Sequence, residues 1–171
     1  KEYIANVAIG LDSDSYDLET QLKDSLNFKG QSINKDFLSK YIGQIEQTVP
    51  PYSAVKVKGK KLYEMARNNK INQVSLPVKQ VTVYDLQILD EYTKDLTKVD
   101  QIKFDENILS KIKNAKILKI KIVCSSGFYV RSFAHDIGGV LVSLTRTKVG
   151  EFKIEDSVKI NEVSEFVKDS L

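Results

Sequence analysis

Residues Ile117–Gly138 read ILKIKIVCSSGFYVRSFAHDIG. Ile117–Cys124 sets apolar side chains against lysines, the pattern of a strand with one buried face. Ser125-Ser126-Gly127 turns the chain. Phe128–Val142 then reads as a helix, broken or ended at Gly138-Gly139. Leu144–Phe152 returns as a strand, and Ile160–Leu171 closes as a short helix.

Upstream, Val78–Leu89 reads as a long strand, with Val81, Val83, Leu86 and Ile88 on its core side. Tyr3–Ile9 is a strand ending at Gly10. Leu11–Gln31, dotted with Asp12, Asp14 and Asp17, reads as a loop with one short strand. Asn34 is placed to N-cap a helix whose Phe37, Leu38, Tyr41, Ile42 and Ile45 share a face, with Gly43 weakening its last turn. Pro50-Pro51 force an extended path, Tyr52–Val57 reads as a strand and Gly59 as its turn. Leu62, Met65 and Ala66 suggest a short helix ending near Asn68-Asn69. Tyr92–Ala115 is charged and irregular, with one amphipathic patch around Phe104, Ile108, Leu109 and Ile112, and is read as a variable insertion. The mixture predicts one α+β domain, a mainly antiparallel sheet flanked by helices.

Composition narrows the function classes. A chain of 171 residues, 42% hydrophobic and 29% charged, supports one core. No apolar run approaches the roughly 18 residues that span a bilayer. No charged-then-apolar leader opens the sequence, and a cytoplasmic setting is expected. One cysteine, Cys124, and one histidine, His135, argue against an internal disulfide and a zinc site. The Asp12, Asp14, Asp17 spacing lacks the central glycine and closing glutamate of a calcium loop, so no metal is expected. Walker, dinucleotide and metalloprotease motifs are absent, so no nucleotide cofactor is expected either. Net charge is +3 and the pI about 8.8, mildly basic. Lys56, Lys58, Lys60 and Lys61 crowd one short stretch between Tyr52 and Tyr63. Such a turn can track a phosphate backbone, or be a solvated lysine-rich hairpin tip.

Four residues are candidates for chemistry. Arg131 falls in the first turn of the helix after Ser125-Ser126-Gly127. Free N–H groups there, with a bidentate guanidinium, suit a phosphate or a catalytic carboxylate. The alternative is a salt bridge to a nearby Asp or Glu. Tyr3 lies at a strand tip, where a phenol can stack a base and move a proton, or simply pack. His135 has no motif-marked nucleophile beside it and is read as a helix-surface or supporting residue. Cys124, closing a strand, is read as a small core residue.

These pieces occur in a familiar order. Lys1-Glu2-Tyr3, then a strand, a glycine and an acidic loop, resembles the K-x-Y motif of the TruB-type tRNA pseudouridine synthases. Gln47–Arg67, QTVPPYSAVKVKGKKLYEMAR, is similar to that family's Q-x-x-P-P-Y-S-A-x-K-x-x-G-K-x-x-Y-x-x-A-R, with one extra residue before the prolines. Cys124–Gly138 matches C-S-S-G-x-Y-x-R-S-x-A-x-D-x-G. Leu144, Arg146, Gly150 and Phe152 match L-x-R-x-x-x-G-x-F.

The resemblance implies the fold of that family and a cofactor-free isomerisation of uridine 55 in the TΨC loop of tRNA. There a catalytic aspartate attacks the flipped nucleoside, and the base detaches, rotates and rejoins through carbon. By motif position, Tyr3 stacks the flipped base and assists its proton. Arg131 pairs with the catalytic aspartate, and Leu144 lines the pocket. Tyr52, Lys56, Lys58, Lys60, Lys61 and Arg146 lie toward the RNA. The implied partner is the T-arm of tRNA, with the protein a monomer.

Three departures qualify this. The family's G-x-L-D-x-x-A-x-G segment, with the nucleophile, and its RNA-holding histidine lie upstream of the K-x-Y strand and are not in residues 1–171. Residues 1–171 are therefore expected to be inactive alone. The connection from Gly138 to Leu144 is shorter than the family's. Residues 1–157 are expected to be the catalytic domain with its insertion at 92–115, and 158–171 the start of a reduced C-terminal region. A non-catalytic tRNA-binding or tRNA-folding module on the same scaffold is the alternative.

Overall fold

Pairing between distant strands dominates the architecture. The computed structural model describes residues 1–157. Its elements, in chain order, are β1 (Glu2–Ile9), β2 (Leu11–Asp12), β3 (Lys23–Asp24), α1 (Lys35–Ser39), β4 (Gly43–Thr48), β5 (Lys56–Val57) and β6 (Lys60–Lys61). They continue with α2 (Leu62–Arg67), β7 (Val78–Lys94), α3 (Leu109–Lys113), β8 (Ala115–Cys124), α4 (Val130–Asp136), β9 (Gly139–Val149) and β10 (Phe152–Lys153). Six strands form one sheet in the order β10-β9-β1-β8-β7-β4, and every paired neighbour is antiparallel. This is the α+β, mainly antiparallel class expected. The helix expected over Ile160–Leu171, and the 158–171 region with it, lie outside the described residues.

The Ile117–Cys124 strand is present, two residues longer at its start. Leu118, Ile120, Ile122 and Cys124 point to one face and are fully buried. With Tyr3, Ala5, Val7, Val81, Val83, Leu86, Val130 and Phe133 they make the main core, between the sheet and α1 and α4. Phe133 is fully buried, and burying a side chain of its size stabilises by roughly 1.5–3 kcal/mol. A second core gathers Ala8, Leu11, Leu22, Leu96, Ile108, Ile112 and Ile117.

Several boundaries differ from the sequence reading. Asn34 does cap α1, its side chain accepting from the Phe37 N–H at 2.9 Å. That helix stops at Ser39, however, and Ile45 lies in β4 opposite Val81. Gly43 sits at φ 101°, a left-handed value that ends helical propagation and starts the strand. Tyr52–Val57 is not one strand: only Lys56–Val57 pairs, with Lys60–Lys61. The Ser53 carbonyl instead accepts from the Tyr63 N–H, folding the stretch onto α2.

The helix expected over Phe128–Val142 is α4 alone, and Val140–Val142 belongs to β9. Gly138 explains the stop. It takes φ 83°, and a Cβ there would lie 2.9 Å from the Cβ of Phe28. The β-branched run after it then pairs with β1, so the returning strand begins at Gly139 and not at Leu144. The acidic stretch Leu11–Gln31 holds two short paired strands rather than one. Finally, Tyr92–Lys94 is not irregular: β7 runs on and pairs Tyr92 with Ile117. Leu96, Ile108 and Ile112 are buried in the second core, whereas Leu109 is partly exposed.

Candidate active site

The start of α4 is held against β4. Tyr129, at the N-cap, offers no capping side chain. Gln47 replaces it: its Oε1 accepts from the Tyr129 N–H at 2.7 Å and its Nε2 donates to the Tyr129 carbonyl at 3.0 Å. Ser132 Oγ donates to the Thr48 carbonyl at 2.7 Å. Gln47 and Ser132 are both buried, where an unpaired polar group would cost about 1–3 kcal/mol. Gln47 occupies one of the leading N–H groups, and the guanidinium of Arg131 is the full positive charge at this helix start.

Arg131 is fixed by three bonds. Nη1 donates to Asp17 Oδ2 at 3.0 Å and to the Ser15 carbonyl at 3.3 Å, and Nη2 donates to the Tyr52 carbonyl at 2.8 Å. Of the two readings left open by the sequence, the salt bridge is present, and its partner comes from the acidic loop. Asp17 is itself organised: its Oδ1 accepts from Ser15 Oγ at 2.6 Å and from the Glu19 N–H at 3.0 Å. Both charged side chains keep 24% exposure, so the pair is reachable from solvent and partly screened. Guanidinium carries five N–H donors. Three are used among the described residues, which leaves Nε–H and one Nη2–H without an acceptor among them.

Register places the other expected residues. Tyr3 pairs with Arg146 and Ala5 with Leu144, and directly opposed residues share a sheet face. Tyr3 and Ala5 belong to the core cluster with Val130 and Phe133, so this is the α4 side. Tyr3 is buried, whereas Leu144 is 44% exposed. Tyr3, Leu144, Arg146 and the helix of Arg131 thus lie on one side of the sheet.

The lysines lie elsewhere, on the β5–β6 hairpin, where Lys58 and Gly59 both take positive φ at the turn. Lys56, Lys58 and Lys60 are exposed, and Lys61 lies 3.9 Å from Glu64 and 5.4 Å from the Tyr63 ring centroid. Tyr52 holds Arg131 through its carbonyl and lines a cavity of about 390 Å³ with Asp12, Asp14, Lys23 and His135.

The three loop aspartates do not converge. Asp12 meets His135, Asp14 meets Lys23, and Asp17 meets Arg131. Tyr16 stacks on His135 with centroids 3.9 Å apart. Burial first, and then the carboxylates of Asp12, Asp136 and Asp14, push the Tyr16 phenol up to about 12. Burial, with Asp14 and Glu19, also raises Tyr52. Both stay protonated at neutral pH.

Sequence reasoning missed Asp17, Gln47 and the His135 contacts. Gln47 had a signal, an uncharged polar residue opening a Pro-Pro motif from within a strand. Asp17 had none, because only the fold brings it across to Arg131.

Comparison with known proteins gives the family. The family model described as TruB family pseudouridylate synthase (N terminal domain) matches residues 1–130. A tRNA pseudouridine synthase B of Staphylococcus aureus (strain bovine RF122 / ET3-1) is 36% identical over 178 residues, covering 96% of this chain and 51% of the relative. That of Acaryochloris marina is 33% identical over 176 residues, covering 98% and 54%. That of Nostoc sp. is 31% identical over 171 residues, covering 95% and 51%. The chain spans about half the length of the curated relatives it matches. No helix among the described residues is long and apolar enough to cross a membrane. With four ordered motifs, an antiparallel α+β sheet and a family match over residues 1–130, the chain belongs to the TruB family of pseudouridylate synthases.

Proposed function

We propose that the full-length protein isomerises uridine 55 in the TΨC loop of tRNA to pseudouridine, without a cofactor, and works in the cytoplasm as a monomer. The observation that carries this reading is the half-used guanidinium of Arg131, fixed on the α4 side of the sheet with Tyr3 and Leu144. Two N–H groups remain for a second carboxylate, and the reaction needs one as nucleophile. That carboxylate is supplied from outside residues 1–171, so this stretch alone is inactive. Asp17 orients the guanidinium, and the guanidinium orients the nucleophile and holds it ionised.

Tyr3 stacks the flipped uracil and its hydroxyl assists the proton at the carbon that rejoins the sugar. Leu144, exposed beside it, covers the apolar edge of the base. Lys56, Lys58 and Lys60, with Tyr52, Lys61 and Arg146, contact the T-arm, the lysines mainly through phosphates.

The test is T-arm RNA incubated with full-length protein, then nuclease digestion and mass spectrometry with a pseudouridine-selective derivative, since the isomers have equal mass. The expected result is one derivatised residue at position 55. Selective T-arm binding without it would favour the non-catalytic tRNA-binding module, and equal binding of unrelated hairpins would remove both readings.

A further inference from the structure

A second contact joins α4 to the acidic loop, one helical turn beyond Arg131. His135 stands four residues after Arg131, and that spacing turns both side chains to one flank of the helix. His135 Nδ1 lies 3.0 Å from Asp12 Oδ1, and a carboxylate can only accept, so Nδ1 carries a proton. Asn27 Nδ2 reaches Nε2 at 3.0 Å from the opposite edge. The Tyr16 ring covers one face at 3.9 Å and 18°. Asp12 Oδ1 also accepts from the Ser13 N–H at 2.8 Å. The imidazole is therefore held on two edges and one face, with 23% of its side chain exposed.

The residues it holds begin and nearly end the turn that delivers Asp17. Tyr16, immediately before Asp17, has φ 64°, a region that a bulky L residue disfavours. Such a conformation persists only when its surroundings over-determine it. Three contacts do so: the stack on His135, the Tyr16 carbonyl accepting from the Leu141 N–H at 3.0 Å, and the Tyr16 N–H donating to the Ser13 carbonyl at 3.1 Å. At the other end, Asp12 is anchored by the His135 ring. The turn otherwise meets α4 at Arg131, whose Nη1 donates to the Ser15 carbonyl and to Asp17 Oδ2.

We propose that His135, acting through Asp12 and Tyr16, is a positioning residue for the Arg131–Asp17 pair: it fixes the acidic loop in the path that presents Asp17 to the guanidinium. Its role in turnover rests on the functional reading above, whereas the coupling between the two contacts does not.

In full-length protein, His135→Ala should lower kcat on T-arm RNA by roughly ten- to a hundredfold, the size expected for an ångström-scale misplacement, and leave KM within about twofold. In an Asp17→Asn background the same change should cost no further turnover, because the pair it positions is already broken. Millimolar imidazole should restore part of the turnover of His135→Ala and none of that of Asp17→Asn. His135→Gln keeps an N–H for Asp12 but loses the stack; it should fall between, and it serves if the alanine variant does not fold. Unchanged kcat in both variants, or losses that add to Asp17→Asn, would overturn the proposal.

A spectroscopic arm separates its failure from failure of the functional reading. His135→Ala should speed amide exchange at Tyr16 and Leu141 and shift the Arg131 side-chain Nε–H resonance, with the Ile120 amide unchanged. If wild-type protein makes no pseudouridine, the functional reading falls and this arm alone decides: an unmoved Arg131 resonance overturns the coupling, and a shifted one upholds it.

Discussion

The start of α4 and the β5–β6 hairpin both carry cations, and they use them differently. Arg131 is tied to two separate segments, the acidic loop through Asp17 and Ser15 and the stretch after Pro50-Pro51 through Tyr52, on a helix pinned by Gln47 and backed by Phe133. Lys56, Lys58 and Lys60 stand exposed on a two-plus-two-residue hairpin. A charge fixed by many partners has lost its side-chain entropy before a ligand arrives, which suits orienting a reacting group. A solvated lysine keeps that freedom and works by field and counterion release, which suits following a phosphate chain. One region is built for geometry and the other for attraction.

The largest contrast lies in stability. Phe133→Ala, beneath the α4 site, should cost about 3–5 kcal/mol in chemical denaturation. Alanine at Lys58 should fall within about 0.5 kcal/mol of wild type, as exposed surface changes do. Equal costs would mean that the hairpin is packed as firmly as the helix.

Function should separate them next. Tyr3→Phe in full-length protein should lower turnover roughly a hundredfold, the low end for a lost acid–base group, while T-arm binding changes little. If this variant still forms pseudouridine at the wild-type rate, the hydroxyl has no proton role and only stacking remains. The hairpin should show the reverse. Lys58→Ala with Lys60→Ala should weaken T-arm binding several-fold and reduce the salt slope by about two, with turnover at saturating RNA unchanged. A fall in saturating turnover instead would give these lysines a geometric task.

The smallest effect concerns the strand that carries Tyr3. The Glu2 carboxyl is held below its ordinary range, chiefly by the Thr147 hydroxyl and further by Lys121. A depressed carboxylate contributes stability above its unfolded pKa, and loses it as pH falls through the folded value. Glu2→Gln should therefore destabilise by less than about 1 kcal/mol at neutral pH, and the difference should shrink as pH falls below the ordinary glutamate pKa of about 4 and vanish once it is below the lowered folded value. A difference that persists in acid would point to packing.

How legible each part was follows from where its information lies. The Ile117–Cys124 strand was legible because its alternation is local, and the Asn34 cap because a cap is a short-range bond. The length of α4 was not. Val140–Val142 reads equally well as apolar helix or strand, and its pairing with β1 decides, more than a hundred residues away in sequence. Ile45 was assigned to a helix for the same reason, since its apolar spacing fitted both periods until β7 took it as a partner. Arg131, Tyr3 and Leu144 were found by motif order, and their common side of the sheet follows from register. Asp17 and Asp12 were visible only as members of an acidic loop, because what distinguishes them is which basic residue of α4 each one meets.

The most direct test of the account is single-turnover pseudouridine formation at position 55 by full-length Arg131→Ala, with T-arm affinity measured in parallel. The account predicts a loss of turnover of about a thousandfold or more, with affinity within about threefold of wild type, as for a group that acts on the reaction and not on docking. Near-wild-type turnover, or a loss of affinity that accounts for the whole effect, would contradict it.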